Sequence, residues 1–176
     1  MSDAAQAFIV KARSLLAGEY LPKIERCLER LGDEELWWRA NEESNSVGNL
    51  LLHLAGNARQ WVVSGVGQTA DGRERQLEFD RREVIPRGEL LQLIRQTLAE
   101  VDDVLARLDP ARVLEPRRIQ GYDVTVLEAV FHVVEHFSMH TGQIILLTKM
   151  LKESDLKFYD FSGGGPRHGW KAGEGR

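Results

Sequence analysis

A single cysteine, Cys27, stands in a chain of 176 residues, and that scarcity excludes two architectures at once. A disulfide framework needs pairs, and a zinc site built on thiolates alone needs several. Long apolar runs are missing too: no uninterrupted stretch approaches the ~20 residues that a membrane-spanning helix requires. Neither sign of charge dominates. Lysine and arginine number 23 against 27 acidic residues, a formal net charge of −4, which offers no general attraction to phosphate backbones or anionic membranes. No nucleic-acid or membrane partner is therefore expected. The opening Met1-Ser-Asp-Ala-Ala-Gln lacks a basic region leading into an apolar one, so no secretory leader is expected and the cytoplasm is the expected location.

Internal repeats and sustained two-residue alternation are also lacking, which leaves helical periodicity as the organising signal and all-α as the fold class. Apolar residues make up 43% of the chain, enough for one domain with a continuous core. Four segments carry the period. The first runs from about Asp3 to Leu31, with Phe8, Leu15, Leu16, Ile24 and Leu28 near one stripe and with Gly18 and Pro22 placed to bend it. The second follows the capping residues before Val47, with Ser46 as the expected N-cap, and continues to about Val66. The third spans Pro86 to Leu108 and the fourth about Asp123 to Leu151. Gly67 to Ile85 is long for a tight antiparallel turn, so the expected architecture is a four-helix bundle with one long crossover. A turn-rich stretch between Val113 and Val124 has the makings of a short hairpin. The domain is expected over residues 1–160, and residues 161–176 form a glycine-rich tail, read as mobile unless Trp170 docks it as a lid.

The strongest local signal is His132-Val-Val-Glu-His136-Phe-Ser-Met-His140-Thr-Gly-Gln143. Residues four apart on a helix differ by only ~40° in direction and ~6 Å in height, so two such imidazoles can reach one ion. His132 and His140 differ by ~12 Å and ~80°, too far for two metal–nitrogen bonds of ~2 Å to the same ion. One helix therefore supplies two ligands, and a third comes from elsewhere. His53, in Val47-Gly-Asn-Leu-Leu-Leu-His53-Leu-Ala-Gly-Asn57, lies within an apolar helix and points inward, where an imidazole needs a hydrogen-bond partner or an ion. A lone core histidine is more often hydrogen-bonded than ligated, and the spaced histidines on the fourth helix shift that balance.

Ser46-Val-Gly-Asn-Leu-Leu-Leu-His53-Leu, taken with His136-Phe-Ser-Met-His140-Thr-Gly-Gln143, resembles the DinB/YfiT-like superfamily over nearly the whole chain up to about Asp160. Where members often have arginine after the last histidine, this chain has Thr141. The resemblance implies His53, His136 and His140 as the ligands of one divalent ion, zinc or nickel, and leaves His132 as a packing neighbour one turn away. It also implies a homodimer and a small-molecule substrate. Some members are S-transferases that use a low-molecular-weight thiol such as bacillithiol, mycothiol or glutathione, and thiol transfer is the activity expected first. A metal-dependent hydrolase or a non-catalytic, stress-related metal-binding protein are the alternatives. No catalytic residue is assigned: Glu128, Glu135, Asn57, Gln143, Tyr122, Tyr159 and Trp170 are candidates near the ligands or the opening. The family's damage-inducible name suggests DNA, but Arg73, Arg75, Arg81, Arg82 and Arg87 alternate with Asp71, Glu74, Glu78, Asp80 and Glu83, which reads as a solvated mixed-charge crossover.

Overall fold

Helix α1 (Ser2–Leu15) carries Ile9 and Ala12 into the core and runs without a break into a π-helical turn, Leu16–Tyr20, and then α2 (Leu21–Leu28). Gly18, one of the two residues expected to bend the helix, lies in this π turn, and Pro22 follows it in α2. Pro22, in the first turn of α2, has no N–H to lose there. A computed structural model describes residues 2–153 and 155–170, and the remaining tail residues, 171–176, lie outside the described residues.

A short α3 (Asp33–Leu36) leads to α4 (Val47–Ala58), which opens on Ser46: its Oγ accepts from the Asn49 N–H, and the Asn49 side chain returns the contact. A second π turn, Arg59–Val66, extends α4 and buries Trp61 and Val62. The crossover contains a short helix, α5 (Arg75–Asp80), before α6 (Arg87–Ala106), which buries Leu90, Ile94, Leu98, Val101 and Leu105 at helical spacing. Strands β1 (Pro116–Ile119) and β2 (Tyr122–Thr125) make the expected hairpin, Ile119 opposite Tyr122. Gln120 and Gly121, the two turn residues, both have positive φ, 52° and 85°, as the hairpin turn that matches strand twist requires.

Helix α7 (Val126–Lys152) starts at Val126 because Thr125 caps it. The Thr125 Oγ accepts from the Glu128 N–H while the Glu128 carboxylate accepts from the Thr125 N–H. The four long segments pack on one another around a single core, α4 against α6 and α7, and α2 against both as well.

After α7 the chain turns back as a two-stranded hairpin, β3 (Tyr159–Asp160) with β4 (Arg167–His168). It docks on the first helical segment. Trp170 Nε1 donates to the Gly18 carbonyl at 3.2 Å, and Arg26 donates to the carbonyls of Lys157 and Gly169. Among the described residues no helix is long and apolar enough to cross a membrane.

Candidate metal centre

His53 sits in the middle of α4, and His136 and His140 sit one turn apart on α7, where the two helices pack. One ring nitrogen from each lies within 4.8 Å of the other two. His53 Nε2 and His136 Nε2 are 2.8 Å apart, and the His136 and His140 ring centres are 4.4 Å apart. His53 and His140 are buried and His136 is half-buried.

The far nitrogens are held outward. His140 Nδ1 lies 2.6 Å from Gln143 Oε1, an acceptor, so it carries the proton and leaves Nε2 with its lone pair; that Nε2 is buried without a hydrogen-bond partner. His53 Nδ1 lies 2.8 Å from Glu78 Oε2. Because the carboxylate only accepts, His53 also carries its proton on Nδ1, which makes His136 Nε2–H the donor across the 2.8 Å contact to His53 Nε2.

These residues fit a divalent ion. Three neutral imidazoles suit zinc, nickel and other borderline ions alike. Bonds of ~2.0–2.1 Å in a tetrahedron space the donors about 3.4 Å apart, between the closest separation and the 4.8 Å bound, so modest side-chain rotations suffice. Burial pushes the His136 imidazole down to about 3, and the neighbouring His140, His53 and His132 rings and Arg73 add to it, so His136 is neutral at physiological pH, as a ligand must be. Burial likewise lowers His140, against the opposing effect of Gln143.

His132 does not join the cluster. Its ring lies over Trp61 at 4.0 Å and beside His136 at 5.3 Å, and its Nε2 accepts from Asn57 Nδ2 at 3.0 Å. The Asn57 amide nitrogen is thereby engaged by His132 while its Oδ1 is buried without a hydrogen-bond partner, whereas Gln143 does reach a ligand ring. Glu128 belongs to the cap of α7, and Glu135 is exposed. Tyr159 and Trp170 gather around Lys23, 5.6 and 5.7 Å from its Nζ, on the first helical segment, and Tyr122 is exposed on β2.

Sequence reasoning missed Arg73, Glu78 and Phe79. The crossover is not solvated throughout: the Arg73 and Glu78 side chains are only 5% and 11% exposed, and Phe79 packs on His53 with ring centres 4.6 Å apart. Arg73 grips Glu78 with two bonds, Nε to Oε1 at 2.7 Å and Nη2 to Oε2 at 2.8 Å. Burial raises the Glu78 carboxyl, but the bonds from Arg73 and His53 and their charges outweigh it and hold it below the usual range. The only local hint was Gly56, three residues after His53, where a side chain would meet this pair.

Fold and cluster together define a class: an all-α protein with three converging imidazoles between two packed helices, consistent with metal binding. The chain superposes on a DinB-like protein from Bacillus cereus ATCC 10987 with a TM-score of 0.60 at 16% identity, over 75% of this chain and 85% of that one, a likeness of fold. No curated protein matches it. Residues 3–164 match the family described as "Protein of unknown function (DUF1572)", and the chain belongs to that family, a DinB-like one.

Proposed function

We propose that the protein is a divalent-metal-dependent enzyme in which His53, His136 and His140 hold zinc or nickel, and that its reaction is the transfer of a low-molecular-weight thiol to an electrophilic small molecule. The observation that carries the reading is the buried, partnerless Nε2 of His140 facing two further imidazoles whose nitrogens converge on it. Three protein ligands leave a coordination position open, the arrangement of catalytic more than of closed structural sites. An ion there supplies the acidity that keeps a bound thiol as thiolate near neutral pH.

The surrounding residues favour thiol transfer over hydrolysis. A hydrolase gains from a general base beside the nucleophile, and the carboxylate nearest the cluster, Glu78, is fully engaged by Arg73 and His53. Transfer needs no such base once the thiol is ionised. Met139, exposed on α7 one turn from His136, offers an apolar approach for the electrophile. The same stripe continues through Leu146 and Met150, and we propose it as the face through which two copies pair.

The test is metal-loaded against metal-free protein, with a generic aryl halide electrophile and bacillithiol, mycothiol or glutathione. Thiol consumption that requires both the metal and an intact His53 supports the reading. Full metal loading with no acceleration for any of the three thiols overturns thiol transfer, and hydrolysis rising with pH would then take its place. Met150→Glu tests the pairing by light scattering: it should convert a particle of about twice the 19.9 kDa chain mass into a monomer.

A further inference from the structure

The crossover returns to α4 at a cost in polar burial that a mere connector would avoid. Glu78 and Arg73 lie against the helix carrying His53, and both reach the same ring nitrogen. Glu78 Oε2 is 2.8 Å from His53 Nδ1, and Arg73 Nη2 is 3.1 Å from that same nitrogen and 2.8 Å from Glu78 Oε2. Arg73 can only donate and Glu78 can only accept, so they make opposite demands on Nδ1. A lone pair on Nδ1 would turn to Arg73 and put the ring proton on Nε2, the atom that faces His136. A proton on Nδ1 turns to Glu78 and frees Nε2.

The surroundings settle the contest. Arg73 already has acceptors in its two bonds to Glu78 and a third, from Nη1 to Gln60 Oε1 at 2.9 Å, so it does not depend on the 3.1 Å contact to Nδ1, and the shorter contact at that nitrogen is the 2.8 Å one to Glu78 Oε2. The backbone around Glu78 is pinned as well, since Asn49 Nδ2 donates to the carbonyls of Glu78 and Arg81 at 2.8 and 3.2 Å. Gly56 completes the seat. A β-carbon there would overlap Glu78 Oε1 and stand 2.9 Å from Arg73 Nε, so the carboxylate lies where only glycine leaves room.

We propose that Glu78 is the positioning residue of the metal centre: seated on Gly56 and gripped by Arg73, it fixes His53 in the Nδ1–H form and so presents the Nε2 lone pair to the ion, which makes the crossover part of the site. The proposal rests on the reading of His53, His136 and His140 as ligands. Removing a partner that orients a metal-bound imidazole typically weakens metal affinity about 10–100-fold.

The experiment measures zinc and nickel affinity by competition with a chromogenic chelator for the wild type, His53→Ala, Glu78→Leu, Glu78→Gln and Gly56→Ala. Nitrogen NMR of histidine-labelled, metal-free protein reads which nitrogen of His53 carries the proton. Glu78→Leu should weaken binding at least tenfold and move the His53 proton from Nδ1 toward Nε2, while Glu78→Gln, which keeps an accepting oxygen, should restore part of both. Gly56→Ala, which displaces the Glu78 carboxylate without changing Glu78 or any ligand and favours the helix, should act like Glu78→Leu. A purely structural role would not move the proton. If the wild type binds one ion, His53→Ala loses it, and both Glu78→Leu and Gly56→Ala bind as the wild type does, the positioning role is overturned and the ligand set stands. If the wild type binds neither metal, the ligand reading itself fails and takes the proposal with it.

Discussion

At His136 the fold brings a polar ring to half-burial with two other imidazoles beside it, and each neighbour makes the protonated form dearer. His132, one turn earlier on the same helix, instead spends its Nε2 on Asn57 and its face on Trp61. The two residues therefore separate cleanly by mutation. His136→Ala should abolish stoichiometric metal binding, since two imidazoles make a weak site, whereas His132→Ala should retain one ion per chain. Elemental analysis after gel filtration checks it, and equal occupancy in the two variants would reject the ligand set. The histidines were legible because four-residue spacing on a helix is a geometric statement, with the resemblance choosing which pair and adding His53. Glu78 was not legible. It lies 25 positions from His53 amid alternating charges, and only the return of the crossover onto α4 distinguishes it from its solvated neighbours.

Cys27 presents a second residue-scale consequence, with no bearing on the site. Its thiol is fully buried, and that burial pushes it from the ordinary 9.0 up to about 11, partly opposed by Thr148 and Lys149. The folded chain thus holds the proton more tightly than the unfolded one. Stability from this source is complete below pH 9 and is lost as pH rises to about 11. Two pH units correspond to roughly 3 kcal/mol. Denaturant titrations from pH 8 to 11 should show the wild type losing stability faster than Cys27→Ala by about that amount, and parallel curves would contradict the argument.

At the scale of elements, what the sequence disclosed depended on whether the signal was local. Ser46 before α4 was read from its chemistry, and the hairpin over β1 and β2 from its turn residues. The fourth helix was expected from Asp123, but Asp123 to Thr125 pair with β1, and α7 begins only where Thr125 and Glu128 cap each other. The π turns at Leu16–Tyr20 and Arg59–Val66 left no such mark, because one extra residue per turn shifts an apolar stripe without interrupting it. The capping pair gives an element-scale prediction. Thr125→Ala removes the side chain that accepts from the Glu128 N–H and should cost about 1 kcal/mol. By thermal melting that is roughly 2–4 °C for a chain of this size. Metal content should not change, since the cap is more than two turns from His136.

For the whole molecule, the docked C-terminal hairpin was the least legible feature. Glycines surround Trp170, and composition alone suggests a loose tail; the partners of Trp170 and His168 are Gly18 and Glu19, more than 140 positions earlier. The same long-range closure makes the ligand cluster a link between α4 and α7, and ties metal binding to global stability. An ion that binds the folded chain and not the unfolded one adds about 2.7 kcal/mol when free metal stands at 100 times its dissociation constant. With roughly 2–4 °C per kcal/mol for a chain of this length, the melting temperature should rise by about 5–11 °C on loading. Chelation should reverse the rise. His53→Ala should melt at one temperature with or without metal, because it loses the ligand contributed by α4, while His132→Ala should keep the full increment. A rise of equal size in His53→Ala would mean that the ion sits elsewhere, and no rise in the wild type at saturating zinc and nickel would remove metal binding from the account of this fold.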